Sequence, residues 1–432
     1  MELKSRLSRL KTQAGTTTPS PAARPSLSAL RQRIAEMEAR GRVIPRRQGG
    51  TPRGMAVGEL ADRVGGELLD GRLIRISQCL PLGEHGPGSP SSRRRPGSGR
   101  LATPDPGLRR DELQGDLRRY DAQENREPVI PLPGEADDGR RNVYIDTETT
   151  GLAGGSGTLA FLVGLAVVED DVLRLTQFLI PRFGGEAAAL AAFAEMLTGD
   201  DRLVSYNGKS YDLPLLITRY RMQALRHPFD GLPHLDLLHP VRRLFGHCWP
   251  DCRLTTMERR LLDIRRVDDL PGSEAPEAWF DYVRRGRGER LVRVVDHNRQ
   301  DIVSLALAHR ALGQVLQQPG EFDVDFHALA RWHMESDELA ARKLLRAHLE
   351  RLCDDGLRLL ALLERRAGHW RAAVALWEQL AARGCSDSLE RLAKYHEHVS
   401  HDLAAARRYC ERLPVDAARE HRRRRLERKL TR

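Results

Sequence analysis

The sequence predicts an α/β domain with a mixed sheet, followed by an all-helical region. Three observations carry this. Val143-Tyr144-Ile145, Thr158 to Val168 and Val172 to Ile180 are successive apolar runs of strand length, the last two separated by the acidic turn Glu169-Asp170-Asp171. Strand and helix patterns then alternate, which indicates a sheet with both parallel and antiparallel neighbours. Beyond Phe322 the apolar residues recur with helical spacing only.

The elements follow in order. Residues 1–139 are expected to be mostly disordered, because Thr16 to Pro25 and Gly83 to Pro106 are rich in Pro, Gly, Ser and Arg and have little apolar surface to bury. Within this region Gly65 to Ile76 reads as a short hairpin and Ser28 to Arg40 has helical spacing. Neither is large enough to make a domain. Residues 140–316 form the predicted α/β domain. After its three strands come an Ala-rich helix over Glu186 to Leu197 and a strand at Leu203-Val204-Ser205. A helix from Asp212 to Met222, a strand end at Leu235 to Leu238 and one long helix over 286 to 316 complete it. Residues 322–413 read as helical repeats. Trp370, Ala373, Trp377 and Leu380 fall 33 positions before Leu403, Ala406, Cys410 and Leu413. That period suits a tetratricopeptide-like helix-turn-helix array, with Glu338 to Leu349 as a degenerate further unit. Residues 414–432 are a basic tail containing Arg422 to Arg425.

Composition narrows the function. The 432 residues are 40% hydrophobic and 30% charged, and no run approaches the length needed to span a bilayer. No apolar segment follows the polar N-terminus, so a secretory signal is not expected and a cytoplasmic location is. The net charge of +10 suits a polyanionic partner, since Lys and Arg displace the counterions of a phosphate backbone. Six scattered cysteines are too few for a disulfide framework. Cys248 and Cys252, with His247, His234 and His239 nearby, lack a second ligand pair and are read as ordinary buried thiols rather than a zinc site.

The chemistry lies in three short motifs. Asp146 and Glu148 stand at i and i+2 at a strand end, so their side chains share one face. Asp212 opens a helix after the loop Asn207-Gly208-Lys209-Ser210-Tyr211. In that loop Asn207, Lys209 and Tyr211 are the candidate substrate-binding residues, Lys209 for a phosphate. His297 and Asp301 are four apart on a helix and therefore share a face. Four carboxylates are hard ligands for Mg²⁺ or Mn²⁺, and two such ions are a common device for cleaving phosphodiesters. A histidine beside them could accept a proton from the attacking water or orient it. Asp236 reads as a helix N-cap. Gly151 to Gly157 lacks the Gly-Lys-Ser/Thr ending of a nucleoside-triphosphate loop.

These motifs resemble, in order and separation, the three exonuclease motifs of the DEDD superfamily, which has the ribonuclease H-like fold. Within that superfamily, the run from Asp146 to Thr158, then Phe161-Leu-Val-Gly164, Val204 to Pro214 and the His-Asn-Arg-x-Asp pattern at 297–301 are similar to the bacterial YprB-like proteins. The resemblance covers about 142 to 315. It implies a ribonuclease H-like mixed sheet flanked by helices. It further implies that Asp146, Glu148, Asp212 and Asp301 hold two divalent ions, one activating a water. The implied activity is 3′–5′ exonuclease, with single strands or 3′ ends as substrate. The superfamily places its water-orienting residue as Tyr four before the last Asp or His five before it; here His297 stands four before, which leaves its role open. DNA and RNA are not distinguished, nor exonuclease and endonuclease. The other class of reading is a nucleic-acid-binding or scaffold protein with little turnover, acting through its helical repeats, which would also be the place for a protein partner.

Overall fold

The computed structural model describes residues 54–82, 139–151, 157–335 and 337–431. The expected helical spacing at Ser28 to Arg40, and both Pro/Gly-rich stretches, lie outside these residues.

One seven-stranded sheet organises the α/β part, with strand order β1-β2-β5-β4-β3-β6-β7. Its strands are β1 (Gly66–Leu69), β2 (Leu73–Pro81), β3 (Arg141–Thr149), β4 (Ala160–Glu169), β5 (Val172–Leu179), β6 (Asp201–Ser205) and β7 (His234–Asp236). The predicted apolar runs became the central strands because both of their faces are covered, and β4 is buried from Ala160 to Val167. β4 and β5 are joined by a two-residue turn in which Asp170 and Asp171 both have positive φ, the turn whose twist matches a hairpin. β3, β6 and β7 run parallel, and the others are antiparallel. The sheet is therefore mixed, as expected.

The hairpin expected inside the N-terminal region is present, but it is not freestanding. β2 pairs antiparallel with β5 from Ile74↔Leu179 to Pro81↔Val172 and so extends the main sheet. Helix α1 (Val57–Val64) precedes it and buries Leu60 and Ala61. The boundary drawn at residue 140 thus corrects to one that takes in residues 54–82. The reason is physical: β5 would otherwise present an unpaired edge beside the core.

Helices cover the sheet. They are α2 (Glu186–Glu195), α3 (Asp212–Met222), α4 (Leu238–Phe245), α5 (Leu254–Met257), α6 (Ala275–Arg285) and α7 (Glu289–Gln317). α7 is 29 residues long and serves two cores. Leu291, Val294 and Val295 pack with Leu60, Ile74, Phe161 and Trp279. Ile302, Leu305, Leu312 and Val315 belong to a second core that continues into the C-terminal helices through Leu329, Leu360 and Trp377. Where α7 crosses the sheet, it meets Gly164 of β4. A Cβ there would lie 2.3 Å from Ile302 Cδ1 and 2.4 Å from Asn298 Oδ1.

The C-terminal helices are α8 (Phe326–His333), α9 (Glu338–Ala347), α10 (Asp354–Arg366), α11 (Trp370–Ala382), α12 (Ser386–His398), α13 (Leu403–Glu411) and α14 (Ala417–Leu430). Small residues sit buried where these helices meet: Ala361, Ala373, Ser388, Ala393 and Ala406. Glu364 on α10 and Glu397 on α12, 33 positions apart, are both buried charges. Glu364 accepts from Arg346, with one contact at 2.9 Å, and pairs with His369 at 2.8 Å; Glu397 pairs with Arg425 at 2.6 Å and Lys429 at 2.9 Å. The expected basic tail is in fact α14, which buries Leu426. Arg422 to Arg425 each pair with a glutamate, because a helix this rich in Arg packs only if its charges are met. Among the described residues no helix is long and apolar enough to cross a membrane.

Gly164→Ala is expected to lower stability by about 1–3 kcal/mol, the cost of forcing one extra carbon into a closed contact. Urea unfolding of the full chain measures it; a change near zero would mean that α7 is free to lift from β4.

Candidate functional site

The site forms where β3 outruns its neighbour. β3 pairs with β6 only as far as Tyr144↔Val204, yet it stays paired with β4 to Thr149. Asp146, Thr147 and Glu148 therefore emerge along an edge that β6 has left. The chain turns after β6 through Asn207, at φ +68°, and Gly208. A Cβ on Gly208 would lie 2.4 Å from Ser205 Oγ and 3.2 Å from Asp212 Oδ2, so the turn needs glycine. Asp236, at the end of β7 and 2% exposed, fixes this turn. Its carboxylate accepts from the amides of Asn207 (2.6 Å), Lys209 (3.1 Å) and Leu238 (3.1 Å). The N-cap of the following helix is Leu237, with no side-chain cap, so the N-cap role expected of Asp236 corrects to that of a clamp on the loop. The turn delivers Asp212 as the first residue of α3, where the Thr147 hydroxyl donates to its carboxylate.

α7 supplies the opposite wall. Asn298, fully buried, donates to Asp146 Oδ2 at 2.7 Å, and its own Oδ1 accepts from Gln177 at 2.7 Å. His297 Nε2 lies 3.8 Å from Glu148 Oε1 and 3.7 Å from Asp301 Oδ2. Its Nδ1 donates to Asp269 at 2.7 Å. The structure therefore brings together Asp146, Glu148, Asp212, His297 and Asp301. Lys209 and Tyr211 are exposed on the loop that ends at Asp212, and Asn207 is half-buried there.

Behind these residues stands Arg266. Its guanidinium donates to Glu258 through two nitrogens at 2.7 Å, to Asp269 at 2.9 Å and to Asp301. Glu258 is 1% exposed and opens a π-helical turn (Glu258–Leu262) that continues α5, a distortion that turns the side chain inward. Ser304 of α7 donates to the same carboxylate. Sequence reasoning passed over Arg266, Glu258, Asp269 and Thr147. Asn298 was visible inside the His-Asn-Arg-Gln-Asp run, but its bond to Asp146 was not. For Arg266 and Asp269 no spacing rule gives a signal, since both lie in an irregular loop.

The electrostatics are those of crowded, buried carboxylates. Burial pushes Asp146 well above the usual carboxylate range, and the charges of Asp301, Asp212 and Glu148 add to the rise. Burial raises Glu148 to about 8, with Asp301 and Asp212 adding and the His297 charge opposing. Burial raises Asp212 to about 6 against the Thr147 hydrogen bond. Burial opposes the charge on His297, but the Asp269 hydrogen bond and the Asp301 and Glu148 charges outweigh it and raise the imidazole to about 9. Such a set of oxygen donors, short of positive charge at its centre, fits hard divalent cations. The cysteines at 248 and 252 are half-buried, and His234 is engaged with Ser205 at 2.8 Å; they form no metal cluster with one another among the described residues.

A mixed sheet with flanking helices and a carboxylate centre at the end of its first parallel strand defines a class of nucleic-acid enzymes. The family model of the RNase H superfamily matches residues 143–312. The chain is 35% identical over 292 residues to the uncharacterized protein YprB of Bacillus subtilis (strain 168), which covers 64% of this chain and 69% of that protein. The chain belongs to the RNase H superfamily. Its members are generally nucleases acting on nucleic acids and typically use divalent metal ions.

Two expectations follow. Asp146, Glu148, Asp212 and His297 all hold protons more tightly in the fold than in the unfolded chain, so the native state binds the extra protons. Stability in a chelating buffer should fall as pH rises from about 4.5 through about 8 for Glu148, and the His297 share, full below 6.5, should be lost through about 9. Melting curves between these limits check the slope, and a rising melting temperature would contradict the assigned environment. Arg266→Leu strands the buried Glu258 and is expected to cost about 3–5 kcal/mol in urea unfolding.

Proposed function

We propose that this protein is a metal-dependent 3′–5′ exonuclease of the DEDD type, hydrolysing phosphodiester bonds with two divalent ions, Mg²⁺ or Mn²⁺. Asp146, Glu148, Asp212 and Asp301 would hold them. The single observation that supports this best is the convergence of four carboxylates from three separate motifs into one electrostatically coupled cluster. Four like charges so placed are costly without cations and serve no packing purpose.

The chain's own groups divide the remaining work. Asp269 holds Nδ1 of His297, which leaves Nε2 facing Glu148 and Asp301, where it can accept or hold a proton from the attacking water. Asn298 and Thr147 fix the orientation of Asp146 and Asp212. Lys209 would meet a substrate phosphate, and exposed Tyr211 offers a ring on which an unpaired base can stack. Bound divalent ions would supply Lewis-acid stabilisation of the phosphodiester and a nucleophilic water at neutral pH.

The helical region is read as tetratricopeptide-like, on the 33-residue step between Trp370 of α11 and Leu403 of α13 and the small buried residues at its helix contacts. A cleft of about 270 Å³ there, lined by His327, Asp355, Arg358, Trp377, Ser388 and Arg391, suits a partner segment or a stretch of substrate.

End-labelled single-stranded DNA and RNA, beside circular substrates of both, test the reading with Mn²⁺ or Mg²⁺ present. Shortening from the 3′ end with circles left intact is the expected result, and cleavage of circles would make the enzyme an endonuclease. Asp146→Asn and Asp301→Asn should each lower the rate by at least about 100-fold while remaining folded, the scale on which loss of one preorganised electrostatic partner acts. Unchanged metal-dependent hydrolysis in either purified variant would remove the site assignment.

A further inference from the structure

A second cluster of metal-ligating side chains lies away from the carboxylate centre. Single ligand atoms of Asp325, His327 and Cys353 all fall within 4.8 Å of one another. They come from two segments: Asp325 and His327 open α8, and Cys353 immediately precedes α10. Neither the His327 ring nor the Cys353 thiol hydrogen-bonds to another described residue. A third segment approaches from the α/β part. Cys248 follows α4 there, but its thiol is not among the ligand atoms that lie within 4.8 Å of one another.

The backbone holds these three segments together without an ion. The Asp325 amide donates to Leu244 O of α4 at 2.8 Å, and the Cys248 amide donates to Phe245 O at 2.8 Å. Arg351, two residues before Cys353, donates to Gly320 O at 2.7 Å and lies 4.7 Å over the Phe326 ring. The donors are thus positioned before any ligand arrives. Thiolate, imidazole and one carboxylate are a borderline-soft set, suited to Zn²⁺ or Co²⁺ and unsuited to Mg²⁺.

We propose that Asp325, His327 and Cys353 form a zinc site that ties the start of α8 to the start of α10. Three protein donors would leave one position of a tetrahedral ion to water. Zn²⁺ would bind as the Cys353 thiol releases its proton, so affinity rises with pH. The zinc reading available in the sequence, at His247 to Cys252, shares no residue with this site. The proposal is independent of nuclease activity, because it uses none of the residues at 146, 148, 212, 297 or 301.

The test uses the reduced full-length protein, stripped of metal and titrated with Zn²⁺ or Co²⁺ in excess Mg²⁺. The expected result is about one zinc per chain, a sulfur-to-cobalt charge-transfer band, and a melting temperature that falls on chelation. His327→Asn combined with Cys353→Ser should abolish the band and melt like the chelated wild type. Asp301→Asn should keep the band in full, which separates this site from the carboxylate centre. Cys353→Ser alone serves if the double variant does not fold, because loss of the site's one thiolate should abolish the band. A full chain without the band, or a band unchanged in His327→Asn/Cys353→Ser or in Cys353→Ser, overturns the three-donor site.

Discussion

The close approach of α7 to the sheet at Gly164 is the constraint on which the rest depends. With no side chain on β4 at that point, α7 settles low enough for Asn298 to reach both Asp146 on β3 and Gln177 on β5. The same seating sets His297 and Asp301 opposite Glu148. It also lets the far half of the helix leave the sheet and enter the core of the C-terminal region. Raising α7 by the width of one methyl group would disturb all three at once. Packed interiors have few intermediate positions, so the helix either seats fully or not at all.

That seating sets up an electrostatic problem, and the loop between α5 and α6 answers part of it. Four carboxylates gather at the end of β3, and burial works against the charges of Asp146, Glu148 and Asp212. Arg266 meets Asp301, Asp269 and Glu258 together, so one guanidinium joins the cluster to two outer carboxylates. His297 faces the cluster on one nitrogen and Asp269 on the other. The outer carboxylates thus hold the cations, and the cations hold the inner ones. A cluster so braced keeps its geometry while its net charge still favours added divalent cations.

Much of this was legible in the sequence for reasons that can be named. Strands buried on both faces read as continuous apolar runs, and β3, β4 and β5 were recognisable as such. Asp146 and Glu148 share a strand face by period two, and His297 and Asp301 share a helix face by i,i+4; both follow from local geometry alone. What stayed hidden was long-range. Nothing within Gly65 to Ile76 says that its second strand will pair with residues 172–179. Helix α6 went unread, although Trp279 stacks on Phe161 and donates to Ile180 O at 2.7 Å. Arg266 and Asp269 sit in a charged irregular loop, where local pattern carries no information and only the fold gives them partners. The basic run at 422–425 misled in the other direction, because charge composition does not reveal that each arginine has a glutamate to meet.

This last point bears on how nucleic acid would be held. A net charge of +10 suggests a broadly basic surface. Yet in the C-terminal helices many of the arginines meet a neighbouring acid: Arg346 meets Glu364, Arg366 Glu338, Arg383 Asp354, Arg407 Glu411 and Arg425 Glu397. A paired guanidinium releases few counterions when a phosphate approaches, so it adds little to salt-dependent affinity. The exposed groups beside the carboxylate cluster are of another kind. Lys209 and Tyr211 lie on a turn that Asp236 and Gly208 hold rigid, three residues and one residue before Asp212. A phosphate or base taken up there is placed beside the carboxylate cluster by the backbone itself. On the proposed function, recognition and positioning would fall on this one turn, and the total charge of the chain would matter less than the few positions at which that turn leaves it unpaired.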